Sequence, residues 1–378
     1  MRALTLQEPP LDYRVVNASS DLDLLIHSEE PWYDLPLVEQ QQLTQRFVRE
    51  ALVRHLDSCP QYRMYFERSH ARVDGPLEKI PLLSTRAFKY SEVRSVPRDD
   101  IEQWYLSSGT SGGPQSRIGR DRVTIERLIG SVRTSLGLIQ DWHEEDFTVI
   151  NLGPGREDAG NVWFQYVMSL IELLFPTYSV VKDGVLHPDE VLPVLDYFAA
   201  RPGFIGIVGP PFLVHDLCQR VRARDRRMDL GSRLTILTAG GWKRQSGRML
   251  PRDEFETYCV DTFRLEDGSQ VRDAFNQVEL NTVFMECSAR EKHVPPWVLV
   301  AARDPHTLEV LPPGTPGLMS YLDASSNSYP CFLVTEDVGS TRAGVCGCGR
   351  EGIRVDIQRR LVTRAQKGCA LAMEAQKR

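Results

Sequence analysis

The chain has 378 residues, of which 42% are hydrophobic and 25% are charged, and its formal net charge at pH 7 is −6. These values are typical of a globular protein, with enough length for one large domain with appendages or for two domains. The negative net charge argues against a general nucleic-acid-binding surface, because such surfaces are basic.

No segment has the composition of a targeting or membrane-spanning sequence. The N-terminus lacks a long apolar run, and nothing later approaches the ~18 consecutive apolar residues of a membrane span. Eight cysteines without a signal peptide indicate a reducing compartment. We therefore expect a cytoplasmic protein with no membrane partner, whose cysteines serve thiol or metal chemistry.

Helical periodicity comes first along the chain. Apolar residues recur near a period of 3.6 over residues 31–71, where Pro60 breaks the pattern, and again over residues 121–141. Short apolar strands then alternate with helices: strands are predicted over residues 147–152, 177–182, 203–209 and 234–239, and helices over 162–175, 189–200 and 211–224. From residue 295 onward the segments are short and β-like. The alternation predicts an α/β fold with mostly parallel sheets, in which ligands bind beyond the carboxyl ends of strands.

A run of small and hydroxyl-bearing residues follows the apolar pair at 105–106. Its candidate phosphate ligands are Ser107, Ser108, Gly109, Thr110, Ser111 and Gly112. Glycines let backbone N–H groups turn toward an anion, and the hydroxyls add donors, which suits a triphosphate. The run lacks the GxxxxGK[ST] spacing of a P-loop, and an ordinary solvated turn is the alternative interpretation. Because the predicted helix over 121–141 follows directly, we expect the run near that helix's N-terminus, where the dipole favours phosphate.

The cysteines and one histidine have the spacing of a metal site. Cys287 and His293 are separated by five residues, and Cys346 and Cys348 form a Cys-x-Cys pair in a glycine-rich turn. Three thiolates and one imidazole make a closed tetrahedral zinc site with no open position for a substrate. This spacing predicts a structural zinc ion, with Cys331 as a reserve ligand. The alternative is a set of ordinary buried cysteines and a surface histidine.

Taken together, four motifs resemble the adenylate-forming enzyme superfamily (ANL), and within it the LuxE-type acyl-protein synthetases of bacterial bioluminescence. The motifs lie at residues 107–112, 239–243, 275–279 and 335–337, and further similar details are at 88–89, 292–298 and 367–371. The resemblance covers roughly residues 80–372. It implies a large ANL-type N-terminal domain with parallel and mixed sheets, a β-rich subdomain and a truncated C-terminal lid domain.

The resemblance also implies a nucleotide site that holds ATP with Mg²⁺. The run at 107–112 would hold the β- and γ-phosphates, and the glycine pair at 240–241 would lie beside the adenine. Phe275 would stack on the base, Glu279 would help hold Mg²⁺, and Asp337 would accept hydrogen bonds from both ribose hydroxyls. The matching cofactor-binding positions after the run are Gly240, Gly241, Trp242, Phe275, Asn276, Glu279 and Asp337. The acid pocket is expected near residues 151–165 and Trp242.

Three further positions carry catalytic roles by the same resemblance. Arg360 matches an arginine at the hinge before the C-terminal region. Cys369 matches a cysteine that accepts the acyl group from the acyl-adenylate, and the neighbouring Lys367 would favour its thiolate. Related ligases also carry a structural zinc at positions like those of the cysteine and histidine set.

Several positions depart from the family pattern. Residues 115–116 are Gln-Ser where a lysine usually follows, and Asn276 and Val278 replace a glycine and a threonine of the aromatic motif. Arg359 stands where a glycine normally precedes the hinge arginine. The chain given stops at residue 378, so the lid domain and its catalytic lysine are expected to be missing, as in the LuxE type.

The predicted function is ATP-dependent activation of a fatty or aryl carboxylic acid to an acyl-adenylate. The acyl group then passes to a thiol, either Cys369 or that of a partner such as a reductase or a carrier protein, in a biosynthetic pathway. A coenzyme A ligase resembling phenylacetate-CoA ligase and a degenerate nucleotide-binding regulatory protein are the alternatives. The predicted organisation is a helical entry region over 1–100, an adenylation core over 101–283, a β-rich subdomain with the zinc site over 284–355 and a tail over 356–378.

Overall fold

The computed structural model describes residues 6–7, 20–108, 114–139, 147–224, 228–242 and 247–360, with the backbone alone for residues 359 and 360. Its α-helices are α1 Asp21–Ile26, α2 Leu37–Ser58, α3 Pro60–Arg68, α4 Ala87–Tyr90, α5 Arg122–Ser135, α6 Trp163–Ser169, α7 Val191–Ala199, α8 Pro211–Ala223 and α9 Arg252–Phe263. Its strands are β1 Leu83–Ser84, β2 Ile101–Leu106, β3 Arg117–Asp121, β4 Phe147–Pro154, β5 Thr177–Lys182, β6 Val185–Leu186, β7 Phe204–Gly209, β8 Leu234–Ala239, β9 Val271–Phe275, β10 Phe284–Met285, β11 Lys292–Val294, β12 Val298–Arg303, β13 Gly317–Asp323, β14 Phe332–Val345 and β15 Glu351–Arg360.

The first sheet is the predicted parallel one. Its strand order is β10-β9-β8-β7-β4-β5-β6, and the inner pairs from β9 to β5 are all parallel. Antiparallel partners, β10 and β6, lie at its two edges. Alternate residues of β4 enter two different hydrophobic clusters: Phe147 and Val149 one, Ile150 and Leu152 the other. The sheet is therefore buried on both faces, which explains why its strands read as continuous apolar runs.

The second sheet is antiparallel and is built from the β-like C-terminal segments. Its order is β11-β15-β14-β13-β12, and β1 adds to β14 in parallel. A separate two-stranded hairpin, β2–β3, carries the Ser/Gly run at its turn. The prediction of an α/β fold with parallel and mixed sheets is confirmed, and the predicted strands over 177–182 and 234–239 have the observed bounds.

The structure differs from the predicted elements at two places. Pro60 not only breaks the helical pattern but is also the first residue of α3. Proline costs no hydrogen bond at this position, because the first N–H groups of a helix have no partner within the helix. The predicted domain boundaries stay predictions, but β15 runs across the one at 355–356. Strand β10, which lies just after the boundary at 283–284, pairs with β9 of the first sheet.

Among the described residues, no helix has both the length and the apolar character that crossing a bilayer requires.

A buried ion pair fixes the N-terminal helix α1 to α5. The Nε of Arg127 lies 2.6 Å from a carboxylate oxygen of Asp23, and both side chains are at most 6% exposed. Asp21, two residues away on α1, makes a similar pair with Arg46, but the two side chains are 66% and 45% exposed.

We predict that Asp23→Asn lowers the free energy of unfolding by about 3 kcal/mol, because it leaves the buried Arg127 guanidinium without its counter-charge. Asp21→Asn is the matched control and should cost less than about 1 kcal/mol, since its pair is exposed and screened. Urea denaturation followed by tryptophan fluorescence measures both. Equal losses for the two variants would show that burial does not determine the strength of these pairs.

Candidate active site

The Ser/Gly run begins at the turn of the β2–β3 hairpin. The N–H of Ser107 donates to the carbonyl of Ser116 (3.0 Å), and the N–H of Ser116 donates to the Ser107 hydroxyl (3.1 Å). Leu106 donates its N–H to the carbonyl of Asn161 (2.9 Å), which fastens the hairpin to the segment before α6. Ser107 is thus held at the hairpin end, and Ser108 follows it. Gly109, Thr110, Ser111 and Gly112 lie outside the described residues.

Ser107 and Ser108, the described residues of the run, do not lie at the N-terminus of α5, contrary to the expectation. Strand β3 separates the two, and five residues of strand span about 16 Å. At the far end of β3, the side chain of Asp121 caps α5 by accepting the N–H of Thr124 (3.1 Å). A carboxylate therefore occupies the place where the helix dipole would attract an anion. The error arose because the short strand β3 was not recognised between the run and the helix.

The glycine pair lies at the carboxyl end of β8. Gly240 and Gly241 have φ angles of 76° and 62°, a left-handed conformation that favours glycine. A Cβ on Gly240 would come within 2.5 Å of the Phe164 ring, so the turn also needs the missing side chain. Ala239 of β8 is in register with Ala274 of β9, so this turn and residues 275–276 leave adjacent strands at one edge of the sheet.

Trp242 follows the pair and packs toward the helices. Its ring lies 5.8 Å from that of His215 on α8 and 5.9 Å from that of Phe255 on α9, centroid to centroid. The turn is therefore anchored on the helical layer. Burial lowers the pKa of His215, so the imidazole beside Trp242 is neutral at neutral pH.

Asn276 holds the turn that leads to Glu279. Its side-chain N–H groups donate to the carbonyls of Leu280 (3.1 Å) and Thr282 (2.8 Å), and its side-chain oxygen accepts from the Trp163 indole N–H. A glycine could make none of these contacts. The departure from the family motif at this position therefore supports the local backbone, and it ties the segment to α6.

Glu279 is 4% exposed and lies on the side of this turn that meets the second sheet. Its carbonyl accepts hydrogen bonds from the Tyr329 hydroxyl (3.2 Å) and from the Cys331 thiol (3.1 Å). Burial raises the pKa of both donors, so they are protonated and able to donate. Cys331, the reserve metal ligand of the sequence prediction, thus lies here and not in the metal cluster.

Asp337 lies on β14, and the neighbouring strand β13 carries Tyr321, which stacks on Phe275. Asp337 is 7% exposed, and its backbone N–H donates to the Thr335 hydroxyl (3.2 Å). Burial, and after it the charge of Asp337, raise the pKa of Tyr321 on β13. The Tyr321 ring stacks on Phe275 with 6.4 Å between centroids. Tyr321 therefore packs the end of β9 in the first sheet against β13, the strand of the second sheet that pairs with the Asp337-bearing strand β14.

Arg360 lies directly beside Asp337. The backbone register of β14 and β15 pairs these two residues. The structure therefore brings the hinge position and the expected ribose carboxylate together on neighbouring strands. Lys367 and Cys369 lie outside the described residues.

Arg120, whose side chain is fully buried on β3, was not predicted from the sequence. Its Nη2 donates to the carbonyl of Val278 (2.7 Å) and to the Tyr329 hydroxyl (3.1 Å), and its Nε donates to the side-chain oxygen of Asn281 (3.1 Å). Its guanidinium carbon lies 3.5 Å from the centre of the Trp163 ring. No local pattern signals this role, since Arg120 resembles any charged residue in a hairpin strand. Tyr321 was missed for the same reason.

The four metal-ligand candidates form one cluster. The ligand atoms of Cys287, His293, Cys346 and Cys348 all lie within 4.8 Å of one another. The Cys287 and Cys346 sulfurs are 3.6 Å apart, and the Cys348 sulfur is 3.5 Å from Nε2 of His293. A tetrahedral zinc with its usual bond lengths would place neighbouring sulfurs about 3.8 Å apart, and sulfur and nitrogen about 3.5 Å apart. The residues present therefore fit the ion.

The cluster is built from two matching turns. In the turn at Cys287, the cysteine N–H donates to the carbonyl four residues on (3.0 Å), and its carbonyl accepts from the N–H three residues on (2.8 Å). The turn at Cys346 repeats both bonds at 2.8 and 2.9 Å. Burial, with Arg354 and Arg350 adding to it, lowers the pKa of His293 to about 4, so a neutral imidazole is available as a ligand.

Comparison with known proteins identifies the family. A family model described as "Acyl-protein synthetase, LuxE" matches residues 8–377. The chain is 43% identical over 357 residues to a long-chain-fatty-acid--luciferin-component ligase of Aliivibrio fischeri, with 94% of each chain covered. It is 42% identical over 359 residues to the Vibrio harveyi protein of the same name, covering 95% of this chain and 94% of the relative.

Solved structures show the fold. The chain is similar to an open conformation of 2-hydroxyisobutyryl-CoA ligase in complex with 2-HIB-AMP and CoA, with a TM-score of 0.65 and 13% identity, over 87% of this chain and 77% of that one. A second structure of that ligase, in the thioesterification state, gives a TM-score of 0.65 at 14% identity, over 86% and 69% of the two chains. This is the adenylate-forming fold, and the resemblance stated from the motifs is confirmed. The chain belongs to the LuxE family of acyl-protein synthetases, and it is an ATP-dependent ligase that activates an acyl group and transfers it to a thiol.

Proposed function

We propose that the acid is a long-chain fatty acid, and that the final acceptor of the acyl group is a thiol of a partner protein. The names of the two relatives, ligases of a long-chain fatty acid to a luciferin component, support both parts. A carboxylate oxygen of the acid attacks the α-phosphorus of ATP, the bond to the bridging oxygen breaks, and pyrophosphate leaves. A thiolate then attacks the acyl carbonyl, and AMP leaves with the electron pair of the broken C–O bond.

The observation that carries this proposal is the packing of Phe275, at the end of β9, on Tyr321 of β13, the strand that pairs with the Asp337-bearing strand β14. The half-buried ring of Phe275 offers a flat surface for the adenine, and the carboxylate of Asp337 is an acceptor for the two ribose hydroxyls. Ser107 and Ser108, with the rest of their run, would hold the β- and γ-phosphates. Gly240 and Gly241 leave the adjacent strand at the same sheet edge, and we propose them beside the base.

Magnesium would be held by Glu279, because a hard cation prefers carboxylate oxygens. When bound, Mg²⁺ neutralises phosphate charge and favours departure of pyrophosphate. Two neighbouring residues hold Glu279 in place: Asn276 fixes the turn, and the Tyr329 hydroxyl donates to the Glu279 carbonyl. Asn276 departs from the family motif, but it supports the turn that leads to Glu279. This favours an active enzyme over a degenerate nucleotide-binding regulator.

We propose that Cys369 takes the acyl group first, with Lys367 favouring its thiolate and Arg360 acting at the hinge. The acyl group would then pass to the partner, a reductase or a carrier protein. Seven cysteines of the described part of the chain are unpaired, which is consistent with a reducing cytoplasm. A small-molecule thiol, coenzyme A, is the competing acceptor.

We predict that Cys369→Ser abolishes acyl labelling of the protein by a radioactive fatty acid with ATP, but preserves fatty-acid-dependent exchange of labelled pyrophosphate into ATP. Asp337→Ala should lower both by about a hundredfold, because two charge-assisted hydrogen bonds to the ribose are lost. Cys218→Ser is the control and should keep both activities, because Cys218 is a buried residue of α8 whose thiol contacts Cys259 of α9.

Each result separates one part of the proposal. Acyl labelling that survives in Cys369→Ser would assign the acceptor to another thiol, and formation of acyl-CoA on adding coenzyme A would favour the competing ligase. Unchanged exchange in Asp337→Ala would remove the proposed nucleotide site. Exchange that responds to aromatic acids and not to fatty acids would overturn the substrate class.

We further propose that Cys287, His293, Cys346 and Cys348 hold a structural zinc ion. The cluster joins the turn before β11 to the turn between β14 and β15, so the ion would fix the strands that carry Asp337 and Arg360. A closed set of four protein ligands leaves no position for a substrate, which favours a structural role over a catalytic one.

Purified protein should contain about one zinc ion per chain. Cys287→Ser should lose the metal and unfold at a lower temperature, because metal binding free energy contributes to folding. Cys331→Ser, whose hydroxyl can still donate to the Glu279 carbonyl, is the matched control and should keep the zinc. Elemental analysis and thermal unfolding measure both variants. Wild-type protein that is metal-free and fully stable in chelator would refute the assignment.

A further inference from the structure

The geometry points to Arg120 as a positioning residue that couples the phosphate-binding hairpin to the segment bearing Glu279. The inference rests on the proposed function, in which the hairpin run holds the triphosphate and Glu279 holds Mg²⁺. The two elements lie far apart in sequence, and ATP with its metal must contact both. Their relative placement therefore decides whether the phosphate oxygens and the carboxylate can reach one ion.

Arg120 is covalently part of the hairpin. It lies on β3, in register with Gln103 of β2, and it is fully buried. Any shift of the guanidinium relative to its acceptors would shift the strand that carries the run. The hydrogen bonds between β2 and β3 fix the register of the hairpin, so a displacement of β3 moves the whole hairpin.

The acceptors of the guanidinium lie on both sides of Glu279. Arg120 donates to the carbonyl of Val278, immediately before it, and to the side chain of Asn281, two residues after it. Through the Tyr329 hydroxyl, which donates to the Glu279 carbonyl, the guanidinium reaches the residue itself. The planar fork of arginine is suited to holding several acceptors in one fixed arrangement.

Aromatic stacking adds a third connection. The guanidinium lies on the Trp163 ring, whose indole N–H donates to the Asn276 side chain at the start of the same segment. Stacking a cation on the face of tryptophan is favourable, most of all where water is excluded. Arg120 therefore holds the segment at both of its ends.

Stability alone does not account for an arginine here. All three of its hydrogen bonds go to neutral acceptors, and its Nη1 has no hydrogen-bond partner among the described residues. A buried cation with an unused donor is costly, and a neutral side chain of similar size would avoid the cost. A neutral side chain could not supply the rigid, planar set of donors that holds the hairpin and the Glu279 segment together.

The test compares Arg120→Met, Arg120→Lys and Tyr329→Phe in the fatty-acid-dependent exchange assay, with MgATP and free Mg²⁺ varied separately. Arg120→Met should raise both the KM for MgATP and the half-saturating Mg²⁺ concentration by about tenfold. Arg120→Lys should behave like it, because an ammonium keeps the charge but cannot hold the three acceptors. Tyr329→Phe, which removes a single hydroxyl, should give a smaller rise of about threefold and guards against misfolding of the arginine variants.

Arg117→Met is the matched control on the same strand. The Arg117 side chain is exposed and lies over the Trp104 ring at 4.2 Å, centroid to guanidinium carbon. It should leave both parameters at the wild-type values. In a Glu279→Gln background, the effect of Arg120→Met on the Mg²⁺ dependence should disappear, since both changes act on one metal site.

The outcomes are distinguishable. Wild-type Mg²⁺ dependence in Arg120→Lys would mean that charge alone matters and would overturn the positioning role. So would wild-type values in Tyr329→Phe, or a reduction in thermal stability with both parameters unchanged in Arg120→Met. If Glu279→Gln itself leaves the Mg²⁺ dependence unchanged, the proposed metal ligand fails, and that result is separate from any result at Arg120.

Discussion

The proposed site depends on one contact between the two sheets, the packing of the Tyr321 ring of β13 against Phe275 at the end of β9. The parallel sheet delivers Phe275 at the carboxyl end of β9, and the antiparallel sheet delivers Asp337 from β14. Tyr321 is fully buried and also stacks near Phe284, so the junction is part of the central hydrophobic cluster. Packing of the core and formation of the site are therefore the same event.

The cluster of Cys287, His293, Cys346 and Cys348 lies at the other end of the second sheet, where a bound metal ion would restrain it. Its two turns flank β11 and the β14–β15 connection, and β11 pairs with β15. Strands β14 and β15 are long and paired over most of their length, so fixing the turn between them limits their sliding. The pairing of Asp337 with Arg360 lies toward the opposite end of the same two strands. The cluster and the proposed nucleotide site thus share the β14–β15 pair.

The sequence predicted what local periodicity and spacing can encode. The buried strands of the parallel sheet are short apolar runs, and strands β5 and β8 were placed with their observed bounds. The three cysteines and the histidine of the cluster were found because cysteine and histidine are the usual ligands of zinc and can be recognised in a sequence by residue type alone. The short strand β3 was missed, since five mixed residues between a glycine-rich run and a helix have no clear period. Arg120 and Tyr321 could not be recognised, because what they do depends on partners that lie across the fold.

The register of Asp337 with Arg360 has one more consequence. Chain that follows residue 360 begins beside the proposed ribose carboxylate, and Cys369 is nine residues further on. Nine residues can reach at most about 30 Å when fully extended. In the proposed function, a thiol within that distance of the acyl-adenylate would act at an effective concentration in the millimolar range. Acyl capture would then proceed as an intramolecular reaction whose rate does not depend on how much free thiol surrounds the enzyme.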